Sequence, residues 1–210
     1  MTLDEYKEWI YEKTMPLIEL MGGKITPNQL SVISLLCAFL AGSFIYLSKY
    51  NPLYLIVSLT FIILNGLFDV LDGGLARYLK VEGDRGDFLD HVFDRYSDIF
   101  MLLGVFFGGY CSPETIGTSA AEMIGISAII GVLLTSYMGT QAQAVGLKRS
   151  YGGILGRADR MMILSIFLVL QLLFNEIFGI KLLTFAMVIF AVFGNVTAVQ
   201  RFFYAWKRLG

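Results

Sequence analysis

The sequence predicts an all-α integral membrane protein: six transmembrane helices preceded by an N-terminal interfacial amphipathic helix. Three observations carry that prediction. Of 210 residues, 56% are apolar and only 16% charged, against about 25% charged in a soluble domain. The mean hydropathy is +0.68. Six apolar runs follow one another, at about 30–49, 52–68, 92–108, 120–146, 161–178 and 182–203. One bilayer crossing needs roughly 20 apolar residues, so six consume on the order of 120, and no separate soluble domain of ordinary size fits beside them. The same composition excludes a disordered chain. A formal charge of −1 gives no reason to invoke nucleic acid. Two widely spaced cysteines, Cys37 and Cys111, suggest neither a disulfide framework nor a zinc site.

Residues 1–25 form the juxtamembrane segment. Leu3, Tyr6, Trp9, Ile10, Leu17, Leu20 and Met21 recur at helical spacing, and Pro16 is expected to kink the helix. Asp4, Glu5, Lys7, Glu8, Glu12, Lys13, Glu19 and Lys24 interrupt any apolar core, so this is not a cleaved signal peptide. The net charge of the segment is negative, so apolar burial, not attraction to anionic lipid, would hold it at the interface. An ordinary amphipathic helix packed on the rest of the protein fits the same pattern. Residues 26–210 then form the six-helix domain. Run two continues helically into polar sequence from Asp69, and run three starts early, in Gly86–His91.

Lys and Arg alternate by side. Arg77, Lys80 and Arg85 lie between runs two and three, and Lys148, Arg149, Arg157 and Arg160 between runs four and five. Lys207 and Arg208 lie at the C-terminal end, and Lys7, Lys13 and Lys24 at the N-terminal end. Gly109–Ser119 has neither residue type, and the loops after runs one and five hold Lys49 and Lys181 alone. The positive-inside rule therefore puts both termini in the cytoplasm, which agrees with an even number of spans in a plasma-membrane protein.

One stretch is unlike the rest. Asp69 and Asp72 are three residues apart, Asp90 and Asp94 four apart, so each pair lies on one helical face, one turn above the other. Both pairs fall at cytoplasmic ends of neighbouring spans and are expected to face each other. One carboxylate in a span costs about 2.5–3.5 kcal/mol on insertion scales, and four together repel. Protonation, basic partners or bound cations would each relieve this. Hard oxygen ligands suit Mg²⁺, Mn²⁺ or Ca²⁺, and two such ions about 3.5–4 Å apart would clamp the attacking and leaving oxygens of a phosphoryl displacement. Gly73, Gly74 and Ala76 let a ligand approach the backbone, and Arg77 supplies a fork for phosphate. Asp87 and Asp98 extend the stripe and read as ordinary solvated positions. His91 points about 100° from Asp90 on a helix and is left out of the ligand set.

Residues 69–94 resemble the signature of the CDP-alcohol phosphatidyltransferase family, D-x2-D-G-x2-A-R-x8-G-x3-D-x3-D, at every fixed position: Asp69, Asp72, Gly73, Ala76, Arg77, Gly86, Asp90 and Asp94. The resemblance implies a homodimer of six-helix subunits with two Mg²⁺ or Mn²⁺ ions each. It implies attack of an alcohol on the lipid-side phosphate of a CDP-activated lipid, with loss of CMP. By position, Asp69, Asp72, Asp90 and Asp94 would ligate metal, and Asp94 would also be the general base. Gly73, Ala76, Arg77 and Gly86 would lie along the CDP moiety. Pro27, Asn28 and Ser31 resemble the family's Pro-Asn-x-x-Thr element near the nucleotide, with Ser31 keeping the hydroxyl; taken alone, Thr26-Pro27-Asn28 is simply a good helix start.

The acceptor is expected to be chosen by the loop between runs four and five. Lys148, Arg149, Arg157 and Arg160 put four cations in 13 residues, with glycines between, which suits a phosphate pocket; positive charge is also what any cytoplasmic loop carries. Ser136 to Leu147 and Gly156-Arg157-Ala158-Asp159-Arg160 resemble the inositol-phosphate branch of the family, with Gln141-Ala142-Gln143 where bacterial members carry an Arg-rich run. The chain looks most like the archaeal archaetidylinositol phosphate synthases, which use CDP-archaeol and inositol 1-phosphate. Glycerol phosphate is the nearer alternative acceptor, and serine or free inositol the neutral ones. A divalent-cation transporter is the rival of a different class, with its carboxylates expected near the bilayer midplane on broken helices. A CDP-lipid-binding scaffold without turnover is a third class.

Overall fold

The computed structural model describes residues 13–147 and 152–209. Six long helices account for most of them: α1 (Pro27–Leu47), α2 (Tyr54–Leu79), α3 (Asp84–Phe107), α4 (Thr118–Ala144), α5 (Arg157–Phe174) and α6 (Leu182–Leu209). A single turn, Pro113–Ile116, precedes α4, and a two-stranded ribbon pairing Glu176–Ile177 with Ile180–Lys181 joins α5 to α6. Each expected run holds one helix. α1, α2, α4 and α6 are long and apolar enough to cross a membrane. Their outward faces carry Leu36, Phe39, Ile63, Met123 and Val199 at 50% exposure or more, an apolar surface that a soluble monomer does not present. The protein is an integral membrane protein. α3 and α5 fall outside that apolar set: polar residues crowd the first half of α3, and α5, 18 residues long, carries Arg157, Asp159 and Arg160 in its first turn.

α1 starts where the sequence says it should. Thr26 accepts from the Gln29 amide, Gln29 Oε1 accepts from the Thr26 amide at 2.8 Å, and Pro27 takes the first helical position. α1 packs between α2 and α3. Toward α2, Asn65 Nδ2 donates to the Ser34 carbonyl at 3.0 Å, and Ser34 Oγ donates to the Asn65 carbonyl at 2.9 Å. Toward α3 the backbones touch. A Cβ on Gly42 would lie 2.1 Å from the Phe100 carbonyl oxygen, and one on Gly104 would lie 2.3 Å from that of Gly42. Only glycine permits a crossing this close.

α4 and α6 pair through Gly131 and Gly194, the latter ending a π-helical turn at Phe190–Gly194. Thr135 Oγ1 donates to the Gly194 carbonyl at 2.7 Å, which offsets the loosened ladder there. The main core gathers Ala41, Val105, Ala128, Leu168 and Met187 from five helices. A smaller cluster of Ile18, Leu30, Leu71 and Leu75 lies at the end of α1 and α2 that carries the acids.

The described part of the N-terminal segment is helical over 13–21 and runs through Pro16 without a break. Ile18 is its buried residue, at 0% exposure, whereas the expected stripe members Leu17 and Leu20 are exposed. The helix docks on α1 and α2 through Ile18, with Met21 of the expected stripe packed beside it, while Leu17 and Leu20 face outward. Leu3, Tyr6, Trp9 and Ile10 lie outside the described residues.

Candidate active site

The acids of α2 and α3 converge. Carboxylate oxygens of Asp69, Asp72 and Asp90 lie within 4.8 Å of one another, and so do ligand atoms of Asp90, His91 and Asp94. Asp90 belongs to both groups, so the two pairs form one continuous cluster. Asp72 and Asp94 are its deep members, at 8% and 5% exposure, and Asp69 and Asp90 are half-buried. α1 contributes Ser31, whose hydroxyl donates to Asp72 Oδ2 at 2.6 Å. That residue, expected beside a nucleotide, stands first against a carboxylate.

Arg157, the first residue of α5, reaches both acidic helices. Its Nη1 donates to Asp69 Oδ2 at 2.8 Å, and its Nη2 lies 2.7 Å from Asp94 Oδ1. Arg95 Nη1 approaches Asp94 Oδ2 at 3.2 Å. Of the three expected means of relieving four clustered charges, the basic partner is therefore present. The start of α5 is held firmly. The Gly156 amide donates to Asp159 Oδ2 at 2.8 Å, the Leu155 amide donates to Thr197 Oγ1 at 3.1 Å, and Arg201 Nε donates to the Gly152 carbonyl at 2.8 Å. Gly153 has φ +121°, and a Cβ there would meet Thr197 Cγ2 at 2.4 Å; glycine is required at that point.

The remaining expected residues spread around this centre. Gly73 and Ala76 stand on α2 within a turn of Asp72. At Gly73 a Cβ would find Arg77 Nη2 at 4.0 Å, so the open side of that turn admits a ligand. Arg77 Nε donates to the Gly73 carbonyl at 3.3 Å. Asn28 and Gly86 are exposed and Pro27 half-buried. Lys148 and Arg149 lie outside the described residues.

Arg160 is turned away from the mouth. It is 5% exposed, its Nη1 donates to the Val132 carbonyl at 3.0 Å, and it pairs with Asp98 at 3.2 Å. Asp98, read from sequence as a solvated position, is instead half of a buried ion pair between α3 and α5. The signal was in the spacing. Asp98 follows Asp94 by four residues and Arg160 follows Arg157 by three, so two helix faces carry matching acid and base ladders. His91 was also set aside. Its Nε2 lies 3.2 Å from Asp87 Oδ1 and its Nδ1 3.7 Å from Asp90 Oδ2, inside the cluster's reach.

The donor set fits divalent ions. It is dominated by carboxylates, and oxygens up to 4.8 Å apart are bridged by an ion bound at roughly 2.0–2.6 Å to each. Asp69, Asp72, Asp90 and Asp94 are the residues that would hold it.

Fold and site together define a helical membrane protein with an acidic centre where helices from both halves of the chain meet. The chain belongs to the CDP-alcohol phosphatidyltransferase family, which it matches over residues 24–202, and is accordingly a transferase of phospholipid biosynthesis. It is 31% identical over 186 residues to the archaetidylinositol phosphate synthase of Pyrococcus horikoshii, covering 88% of this chain and 86% of that one. Against the archaetidylinositol phosphate synthase of Methanothermobacter thermautotrophicus it is 31% identical over 145 residues, 69% and 67% of the two chains. The crystal structure of Mycobacterium tuberculosis phosphatidylinositol phosphate synthase in complex with manganese and citrate superposes with a TM-score of 0.70 at 20% identity, covering 95% of this chain and 88% of that one. That likeness establishes the shared fold.

Proposed function

We propose that this protein transfers the lipid phosphate group of a CDP-activated lipid, CDP-archaeol by preference, to inositol 1-phosphate and releases CMP. The reading places residues 26–210 as the transferase domain, with six spans, cytoplasmic termini and a homodimeric assembly in the plasma membrane. The observation that carries it is the convergence of Asp69, Asp72, Asp90 and Asp94 from two helices beside Arg157, in a chain whose named relatives include archaetidylinositol phosphate synthases.

Two Mg²⁺ or Mn²⁺ ions would supply charge neutralisation at the two phosphates of the CDP-lipid when bound. The residues of the chain do the rest. Asp94 accepts the proton of the acceptor hydroxyl at a carboxylate oxygen as that hydroxyl's oxygen forms its bond to the lipid-side phosphorus. The anhydride bond to CMP breaks, and its electron pair leaves with CMP. Ser31 holds Asp72 in orientation through its hydrogen bond. The open face at Gly73 and Ala76, with Arg77 and Gly86 nearby, receives the nucleotide, and Pro27 and Asn28 border it. Arg157, with Lys148 and Arg149, supplies the positive charge that favours an acceptor with its own phosphate, whereas Arg160, buried against Asp98, does not face that pocket. α2 continues unbroken through Asp69 and Asp72, unlike the interrupted helices of transporter sites.

The experiment is CMP release by the purified protein with Mn²⁺ and CDP-archaeol, comparing inositol 1-phosphate, glycerol phosphate, serine and inositol. Release with inositol 1-phosphate alone supports the reading. Preference for glycerol phosphate moves the protein to another branch of the family, and full activity in exhaustively chelated samples removes the metal.

A further inference from the structure

The geometry points to Arg157 as an internal counter-cation that yields its carboxylates to incoming divalent ions and then turns to the acceptor phosphate, coupling metal loading to acceptor binding. This rests on the metal-dependent reading above and concerns the order of events at the same site.

Arg157 lies on oxygens of both acidic helices, Oδ2 of Asp69 and Oδ1 of Asp94. Arg95 faces the second oxygen of Asp94 at 3.2 Å. An ion approaching Asp94 therefore meets a guanidinium at each oxygen. A dication and a guanidinium on the same lone pairs repel, so one must leave.

Arg157 is the guanidinium whose departure frees an oxygen on both acidic helices, whereas Arg95 lies on Asp94 next to it in sequence. The Arg157 side chain is 24% exposed and stands at the first position of its helix. The backbone beneath it is fastened to α6 through Leu155 and Gly152, so the side chain can swing while the helix stays. Arg160, three residues on, is 6% exposed at its side chain and held by Asp98 and the Val132 carbonyl. Once displaced, Arg157 is a planar, permanently charged fork beside the cluster, suited to a phosphate dianion. By linkage, whatever draws Arg157 off the acids raises their affinity for metal by the same factor that metal raises the affinity for phosphate.

The test uses the purified full-length protein and the arginine reagent phenylglyoxal, with modification of each arginine followed by peptide mass spectrometry. Mn²⁺ binding is measured separately from the spin-resonance signal of free Mn²⁺. Saturating Mn²⁺ is expected to speed modification of Arg157 several-fold while leaving the buried Arg201 unchanged, and inorganic phosphate to protect Arg157 only in the Mn²⁺-loaded protein. Arg157→Gln is expected to bind Mn²⁺ roughly tenfold more tightly, within the usual range for coupled sites. Unchanged or slower modification of Arg157 at saturating Mn²⁺, or weaker Mn²⁺ binding by Arg157→Gln, overturns the inference. Absence of Mn²⁺ binding in both proteins overturns the metal reading beneath it as well, which keeps the two failures distinct.

Discussion

Asp94 combines 5% exposure with two arginine contacts, from Arg157 and Arg95. Burying a carboxylate is costly, and the two arginines offset part of that cost at the residue assigned as proton acceptor. Asp94→Asn is expected to lower the rate of CMP release by about 10²–10⁴-fold, the usual range for a general base, with CDP-lipid binding retained in an equilibrium assay; near-normal turnover would remove the assigned role. Arg157→Ala is expected to raise the KM for the acceptor more than that for the CDP-lipid, read from paired saturation curves. At Ser31, the hydroxyl donates to Asp72 Oδ2 at 2.6 Å, a short O–H···O bond that fixes the carboxyl in place. The sequence made the four acids legible because their spacing is local. It did not show that Arg157 lies on two of them, because those contacts reach across long stretches of chain, 88 positions in the case of Asp69.

At the scale of the element, the helices divide by what fixes their neighbours. α1 and α3 are joined by backbone contact at Gly42 and Gly104. Replacing Gly104 by leucine would drive a side chain into the Gly42 carbonyl, and overpacking of this kind costs about 1–3 kcal/mol or more. A lowered melting temperature in detergent, with parallel loss of activity, is the expected outcome. α3 and α5 are joined instead by ion pairs, Asp94–Arg157 and the deeper Asp98–Arg160, the latter at 11% and 6% side-chain exposure. Arg160→Met leaves a buried acid without its partner and is expected to cost about 3–5 kcal/mol. Adding Asp98→Asn to that variant should recover much of the loss, because the uncompensated charge is then gone; a double variant no more stable than Arg160→Met would deny the pair this role. The same polar load explains why α3 lies outside the set of helices apolar enough to span a membrane, although its apolar run was visible at 92–108.

For the whole molecule, the alternation of Lys and Arg predicts that the loop after α2 and the turn before α4 lie on opposite sides of the membrane. Single cysteines test this directly, because the native thiols are quiet. Cys37 and Cys111 are both buried and free, and burial pushes the Cys111 thiol up to about 11, so almost no thiolate is present near neutral pH. A cysteine at Glu82 should react with an impermeant maleimide only from the cytoplasmic side, and one at Glu114 only from the other. Labelling of both from one side would refute the six-span topology.

The sequence by itself determined the membrane class, the number and order of the helices, the start of α1 at its Thr26 cap and the spacing of the acids. All of these depend on residues within a few turns of one another, where hydropathy, capping and helical periodicity act. Only the tertiary structure decided that Ile18, not Leu17 or Leu20, docks the N-terminal helix, that Ser31 serves Asp72, and that Asp98 and Arg160 form a buried pair. Only it decided that Arg157 closes the acid cluster. A buried charge takes whichever partner the packing of distant helices brings within reach, and that choice is made by the three-dimensional crossing of α1, α2, α3 and α5.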